Sequence, residues 1–150
     1  MSTVKLSQIR SRVSDALEGI AGAGLKQSPM SPAAFGRTVN TIAHKSFCVV
    51  LGGSTARDDR QRQVEGAMLE TDMEIRVAYR LRPHDQITDT DGSMDLENTI
   101  IANLLNRGDA DLYPNLHIRF LSSNRLLTDS GEYILSSMNF NLLHFIPLST

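Results

Sequence analysis

The 150-residue chain is 41% hydrophobic and 21% charged, a mixture that supports a core and excludes disorder by composition. Its net charge of -2 provides no general attraction to nucleic-acid phosphates or to an anionic membrane. One cysteine, Cys48, excludes an internal disulfide and a cysteine-only zinc site, and no stretch reaches the ~18 apolar residues of a membrane helix.

The length fits a single domain over residues 1–150. MSTVKLSQIRSR has no apolar signal core, so a soluble protein kept in a reducing compartment is expected. Leu6, Ile9, Val13, Leu17 and Ile20 recur at three- and four-residue steps, with Lys5, Arg10, Ser14, Asp15 and Glu18 on the other side. This predicts an amphipathic helix, with Ser2 or Thr3 as its cap and Gly19 and Gly22 near its end. The glycines and prolines of AGAGLKQSPMSPAAF predict an extended crossing segment. KSFCVVLGG reads as a strand closed by Gly52 and Gly53, with Phe47, Val49 and Leu51 on one face, Cys48 and Val50 on the other, and both faces covered. Cys48 is then a buried, inert thiol. STARDDRQRQ has no apolar period and predicts a long exposed loop or hairpin tip.

From about Gln63 to Arg82 the period is two. Met73, Ile75, Val77, Tyr79 and Leu81 point one way; Asp72, Glu74, Arg76, Arg80 and Arg82 point the other, with Ala78 the only break. This is a half-exposed strand ended by Pro83. From Met94 the period becomes helical: Leu96, Ile100, Ile101, Leu104 and Leu105 form a stripe ending near Arg107 and Gly108. LHIRFL (116–121) reads as a short strand, SSNRLLTDSG as a turn, and EYILSSMNFNLLHFIPL (132–148) as a long strand with Ile134, Met138, Phe140, Leu142 and Ile146 on one face. The order predicts an α+β fold: a mainly antiparallel or mixed β-sheet with two amphipathic helices packed on one face.

The acidic run ITDTDGSMDLEN poses the main chemical question. Aligned as a calcium loop with Gly92 sixth, Asp89, Asp91 and Asp95 fall on ligand positions, but Ile87 takes the first and Asn98 the twelfth, so the cage loses its bidentate carboxylate. A helix start explains the run better: Asp91 and Gly92 as a turn, Ser93 as N-cap, and Asp95 and Glu97 in the first turn. No nucleophile elbow, phosphate loop, zinc-binding H-E-x-x-H or dinucleotide motif occurs, and the GAG at 22–24 follows a helix, not a strand. His44, His84, His117 and His144 show no ligand spacing. Arg76, Arg80 and Arg82 form a basic strip without exposed aromatics, which reads as a solvated or subunit-contacting face, not an RNA platform.

The succession AHKSFCVVLGG, a mixed-charge loop, EIRVAYRLRPHDQ, MDLENTIIANLL and YILSSMNFNLLHF resembles the tail terminator proteins of long-tailed bacteriophages, over roughly residues 4–147. The resemblance implies a homo-oligomeric ring, commonly a hexamer, seated on the last ring of the tail tube protein. Such a ring stops tube polymerisation and offers a surface to the head connector or neck protein, while genomic DNA passes through its lumen without specific binding. It also implies no enzyme activity, no cofactor, and a place at the head-proximal end of the virion tail after assembly in the host cytoplasm. Near-neutral charge suits such a passage, and a closed ring covers exposed sheet edges. Two interface sets are expected: the loop with Arg57, Asp58, Asp59, Arg60 and Arg62, and the strand face with Asp72, Glu74, Arg76, Arg80 and Arg82. Head-completion, neck-adaptor and minor tail proteins share this layout and stay open. In a different class, so does a small cytoplasmic ligand-binding or hydrolytic domain with a pocket lined by His84, Asp85 and Asp89.

Overall fold

The computed structural model describes residues 6–28, 44–56, 66–106, 116–128 and 131–147. The elements are α1 (Leu6–Glu18), β1 (Lys26–Gln27), β2 (Ser46–Ala56), β3 (Gly66–Arg80), α2 (Gln86–Asn106), β4 (His117–Leu127) and β5 (Tyr133–Pro147). One five-stranded sheet runs in the order β1-β2-β3-β5-β4. Only the short β1–β2 contact is parallel. The fold is α+β, as the residue periods predict.

Period-two patterning builds the inner face. Phe47 and Val49 of β2, Met73, Ile75 and Val77 of β3, and Met138, Phe140 and Leu142 of β5 are all buried there. Ile9, Val13 and Leu17 of α1 pack on them, and so do Leu96, Ile100 and Leu104 of α2, so both helices cover the same face. Ser14 also turns inward, against expectation; its hydroxyl donates to the Arg10 carbonyl at 2.9 Å, which satisfies it within the helix. The chain leaves α1 through Gly22 and Gly24, both at positive φ (78° and 70°), where glycine avoids Cβ strain. Ala23 and Leu25 then return to the core. Of the predicted crossing segment, residues 21–28 form this turn and β1, and the rest lies outside the described residues, as do Ser2 and Thr3.

On the outer face a smaller cluster forms. Cys48 and the fully buried Ala78 are flanked by Val50, Tyr133 and Leu135, which explains the one break in the β3 alternation. Burial pushes the Cys48 thiol up to about 11, so it stays protonated at neutral pH.

Three boundaries differ from expectation. β2 does not stop at Gly52 and Gly53: a bulge between Leu51 and Ser54 absorbs them, and pairing resumes through Ala56 opposite Leu69. β4 does not turn after Leu121: Ser122–Leu127 pair with Asn139–Ile134 after a bulge at Leu121. α2 starts at Gln86, so Asp91, Gly92 and Ser93 are interior helical residues and not a turn and cap. Asp85 precedes the helix, and its carbonyl accepts the Asp89 N–H at 2.9 Å. The whole stretch tested as a calcium loop, Ile87 to Asn98, is thus helical, and a helix cannot wrap an ion.

Candidate functional site

β3 places Asp72, Glu74 and Arg76 on the outer face of the sheet. Glu74 and Arg76 form an ion pair along the strand, both half-buried. Asp72 is exposed beside Gly52, which offers no side chain to cover it. The bulges of β2 and β4 flank a shallow trough of about 380 Å³ across this face, lined by Val50, Gly52, Asp72, Glu74, Leu121 and Asn139.

The end of β3 is built differently. Arg80 is exposed, and its backbone N–H donates to Nδ1 of His44 at 3.0 Å. A neutral His44 therefore carries its proton on Nε2. The ring meets Tyr79 edge-on, with centroids 4.7 Å apart. Burial, then the positive charge of Lys45, holds the imidazole below its ordinary value.

Arg82 does not simply continue the basic strip. The chain bends after Leu81, whose N–H donates to the Glu132 carbonyl at 2.7 Å. Arg82 then clamps Asp89 in the first turn of α2. Its backbone N–H reaches Oδ2 at 2.7 Å, Nε reaches Oδ2 at 3.2 Å, and Nη2 reaches Oδ1 at 3.0 Å. Asp85 adds a longer contact of 3.7 Å. The side-chain hydrogen bonds from Arg82, then its backbone N–H, hold the Asp89 carboxyl below the usual carboxylate range. His44, Tyr79, Arg80, Arg82 and Asp89 surround an open depression of about 480 Å³. Of His84, Asp85 and Asp89, only Asp89 lines it, and both carboxylate oxygens are already held by one arginine.

The clamp has a pH signature. A carboxyl held low in the folded state adds stability above its unfolded value, ~3.9, and that stability is lost as pH falls through the folded value. Asp89→Asn therefore lowers the thermal midpoint at pH 7, and the gap to the wild type closes as the pH approaches 3. A constant gap across that range rules out the clamp as a charge-dependent brace.

The inner face hides a second polar chain that no sequence spacing marks. Ser54 Oγ lies 2.7 Å from Thr71 Oγ1, which lies 2.9 Å from Nε2 of His144. Thr71 and His144 are buried, and Nδ1 of His144 has no hydrogen-bond partner among the described residues. Burial lowers the His144 imidazole from its ordinary value. The unfolded chain then takes up a proton below ~6.5 while the folded chain resists it, so folding stability falls as pH drops below that value. His144→Gln, which does not titrate, should show a shallower loss of denaturation midpoint between pH 7 and pH 5. Equal slopes would exclude His144 as the source.

A third contact, also missed, joins α2 to β4: Nε of Arg125 donates to Glu97 Oε2 at 2.7 Å, with Glu97 buried. Its only trace is the 89–93–97–100–104 spacing that sets polar residues on the buried helix face. Among the described residues no three His, Cys, Asp or Glu side chains are grouped to hold a metal ion, and no helix is long and apolar enough to cross a membrane. Arg57, Asp58, Asp59, Arg60 and Arg62 lie outside the described residues.

The fold has a solved counterpart. It resembles a chain of a structure described as the virion of a native gene transfer agent particle, with a TM-score of 0.55 and 16% identity over 92% of this chain and 93% of that one. At that identity the likeness establishes the fold. No protein-family model matches the chain, and no curated protein matches it. The gene transfer agent chain is matched along nearly its full length, so the likeness takes in helices and sheet together and is not confined to one hairpin.

Proposed function

We propose that this chain is a structural, non-enzymatic protein of a phage-like virion, and within that class a tail terminator. The observation that carries this reading is the end-to-end fold likeness to a chain of the gene transfer agent virion, a phage-like particle. The layout of strands and helices in the sequence supports the finer role. In it, six copies form a ring on the last tier of the tail tube, halt its growth and receive the head connector, with DNA passing through the lumen and no cofactor required. The segment bearing Arg57, Asp58, Asp59, Arg60 and Arg62 contacts the tube or a neighbour. Asp72, Glu74, Arg76 and Arg80 face a neighbour or the lumen, joined by Arg82, whose side chain stays largely exposed while its charge is matched by Asp89.

The test is polymerisation of the matching tube protein with and without this chain, followed by electron microscopy. Tubes of limited length with a ring at one end support the terminator. Rings bound to connectors but never to tubes point to a neck adaptor. A stable monomer with a measurable turnover removes both. Arg80→Glu, at an exposed position, should fold normally and cap tubes less efficiently; unchanged capping removes Arg80 from the contact.

A further inference from the structure

The two edges of the sheet are unequal and complementary. β4 is the last strand on its side. Eleven residues is long for an edge, and natural edges are blunted by prolines, lysines or bulges. β4 has neither proline nor lysine, and its bulge at Leu121 leaves Ser122–Leu127 regular. Arg125 is turned under the sheet to Glu97. Of the six exposed large apolar side chains among the described residues, three lie on this strand: Leu121, Leu126 and Leu127. Leu126 and Leu127 are 61% and 65% exposed. Neither contributes to the core of its own subunit, and both lie beside a row of backbone groups that no further strand pairs among the described residues.

At the opposite edge, β1 covers β2 only at Ser46 and Phe47 among the described residues. Beyond that point a groove of about 340 Å³ runs beside β2, lined by Leu6, Ser7 and Arg10 of α1 and by Val49, Val50 and Leu51. Leu6, Val49 and Leu51 give the groove an apolar part that can take a β4 leucine, and Ser7 and Arg10 give it a polar rim. Strand polarity matches as well. β2, β3, β5 and β4 alternate in direction, so a second copy set beside the first in the same orientation brings its β2 antiparallel to the first copy's β4. Side-chain faces also agree. Leu126 pairs with Leu135, which pairs with Ala78 on the outer face, the face of Val50; Leu127 pairs with Ile134 on the inner face, the face of Val49.

We propose that β4 of one copy adds antiparallel to the β2 edge of the next, with Leu126 opposite Val50 and Leu127 seated in the groove beside Val49 and Leu6. The occupant is a second copy of this chain, and the placement rests on the reading of the chain as a ring-forming subunit. The contact is head-to-tail: each copy presents one edge and receives the other, and where the rotation between copies closes, repetition makes a ring with both of these edges covered. A two-fold β4–β4 pairing would cover one edge and leave the β2 groove empty.

Cross-linking separates these cases. Facing residues of paired strands have Cβ atoms ~5 Å apart. A Val50→Cys/Leu126→Cys double variant should give, on oxidation, a ladder of covalent multimers. Each single variant should give none, since native Cys48 is buried and stays protonated. Leu126→Lys, at an exposed position, should keep the wild-type thermal midpoint and raise the concentration needed for self-association by about tenfold or more. Dimers from Leu126→Cys alone show a two-fold contact and overturn the proposal. Rings by microscopy with no ladder in the double variant overturn the edge placement and leave the ring intact. Monomers at every concentration overturn the placement too, and the tube-capping assay then judges the terminator reading separately.

Discussion

Leu104→Asp should abolish cooperative folding, whereas Leu105→Asp, one residue on, should leave it almost unchanged. Leu104 is fully buried in the cluster that joins α2 to the sheet, and Leu105 is 44% exposed. Truncating a buried leucine alone costs about 2–5 kcal/mol, and burying an unpaired carboxylate adds several more. The total approaches the whole stability of a domain this size, ~5–15 kcal/mol. Urea denaturation followed by circular dichroism reads both variants. Two variants with the same midpoint would show that α2 does not dock by this face.

The second expectation reverses an ordinary rule. Glycine inside a helix normally costs about 1 kcal/mol relative to alanine, so Gly92→Ala ought to stabilise α2. Here a Cβ at position 92 would fall on the hydroxyl of Tyr79, with ring carbon Cζ at 3.2 Å. The ring is also held by its edge-on contact with His44, so a shift away from position 92 disturbs that packing. Forcing extra atoms into such a contact costs ~1–3 kcal/mol, which outweighs the propensity gain. Gly92→Ala should therefore destabilise the wild type by about 1 kcal/mol, and much of that loss should vanish in a Tyr79→Phe background. Chemical denaturation of the four members of the cycle measures the coupling. Additive effects, within ~0.3 kcal/mol, would mean that Gly92 is not there to admit the tyrosine.

The same glycine explains why the sequence alone points to a later start for α2. Asp-Gly-Ser is turn chemistry in isolation, yet tertiary packing selects glycine for its missing Cβ. The first turns of α2 also hide their buried face, since Asp89, Ser93 and Glu97 occupy positions where apolar residues would announce a helix. β3 and β5 were legible because period-two patterning persists along them, with one face buried. The second half of β4 was not: an edge strand needs no apolar face, so SSN and its neighbours look like a turn. Gly52 and Gly53 resemble a strand end because a bulge and a terminus use the same residue. At the candidate site, the outward placement of Asp72, Glu74 and Arg76 followed from alternation. The Arg82–Asp89 clamp, the Arg80–His44 bond and the Thr71–His144 contact depend on how distant segments meet, and no local period encodes that.

The sheet order carries a consequence for synthesis. β5, made after β4, lies between β3 and β4 and pairs with both along much of its length. While residues 133–147 remain inside the ribosome, β4 has no strand to lean on and β3 lacks half its partners. The nascent chain can form α1 and the β2–β3 ladder early, but the leucine-bearing strand is laid down only when β5 slots in beside β3. The exposed Leu126 and Leu127 are therefore set in the sheet only once the last strand has been made.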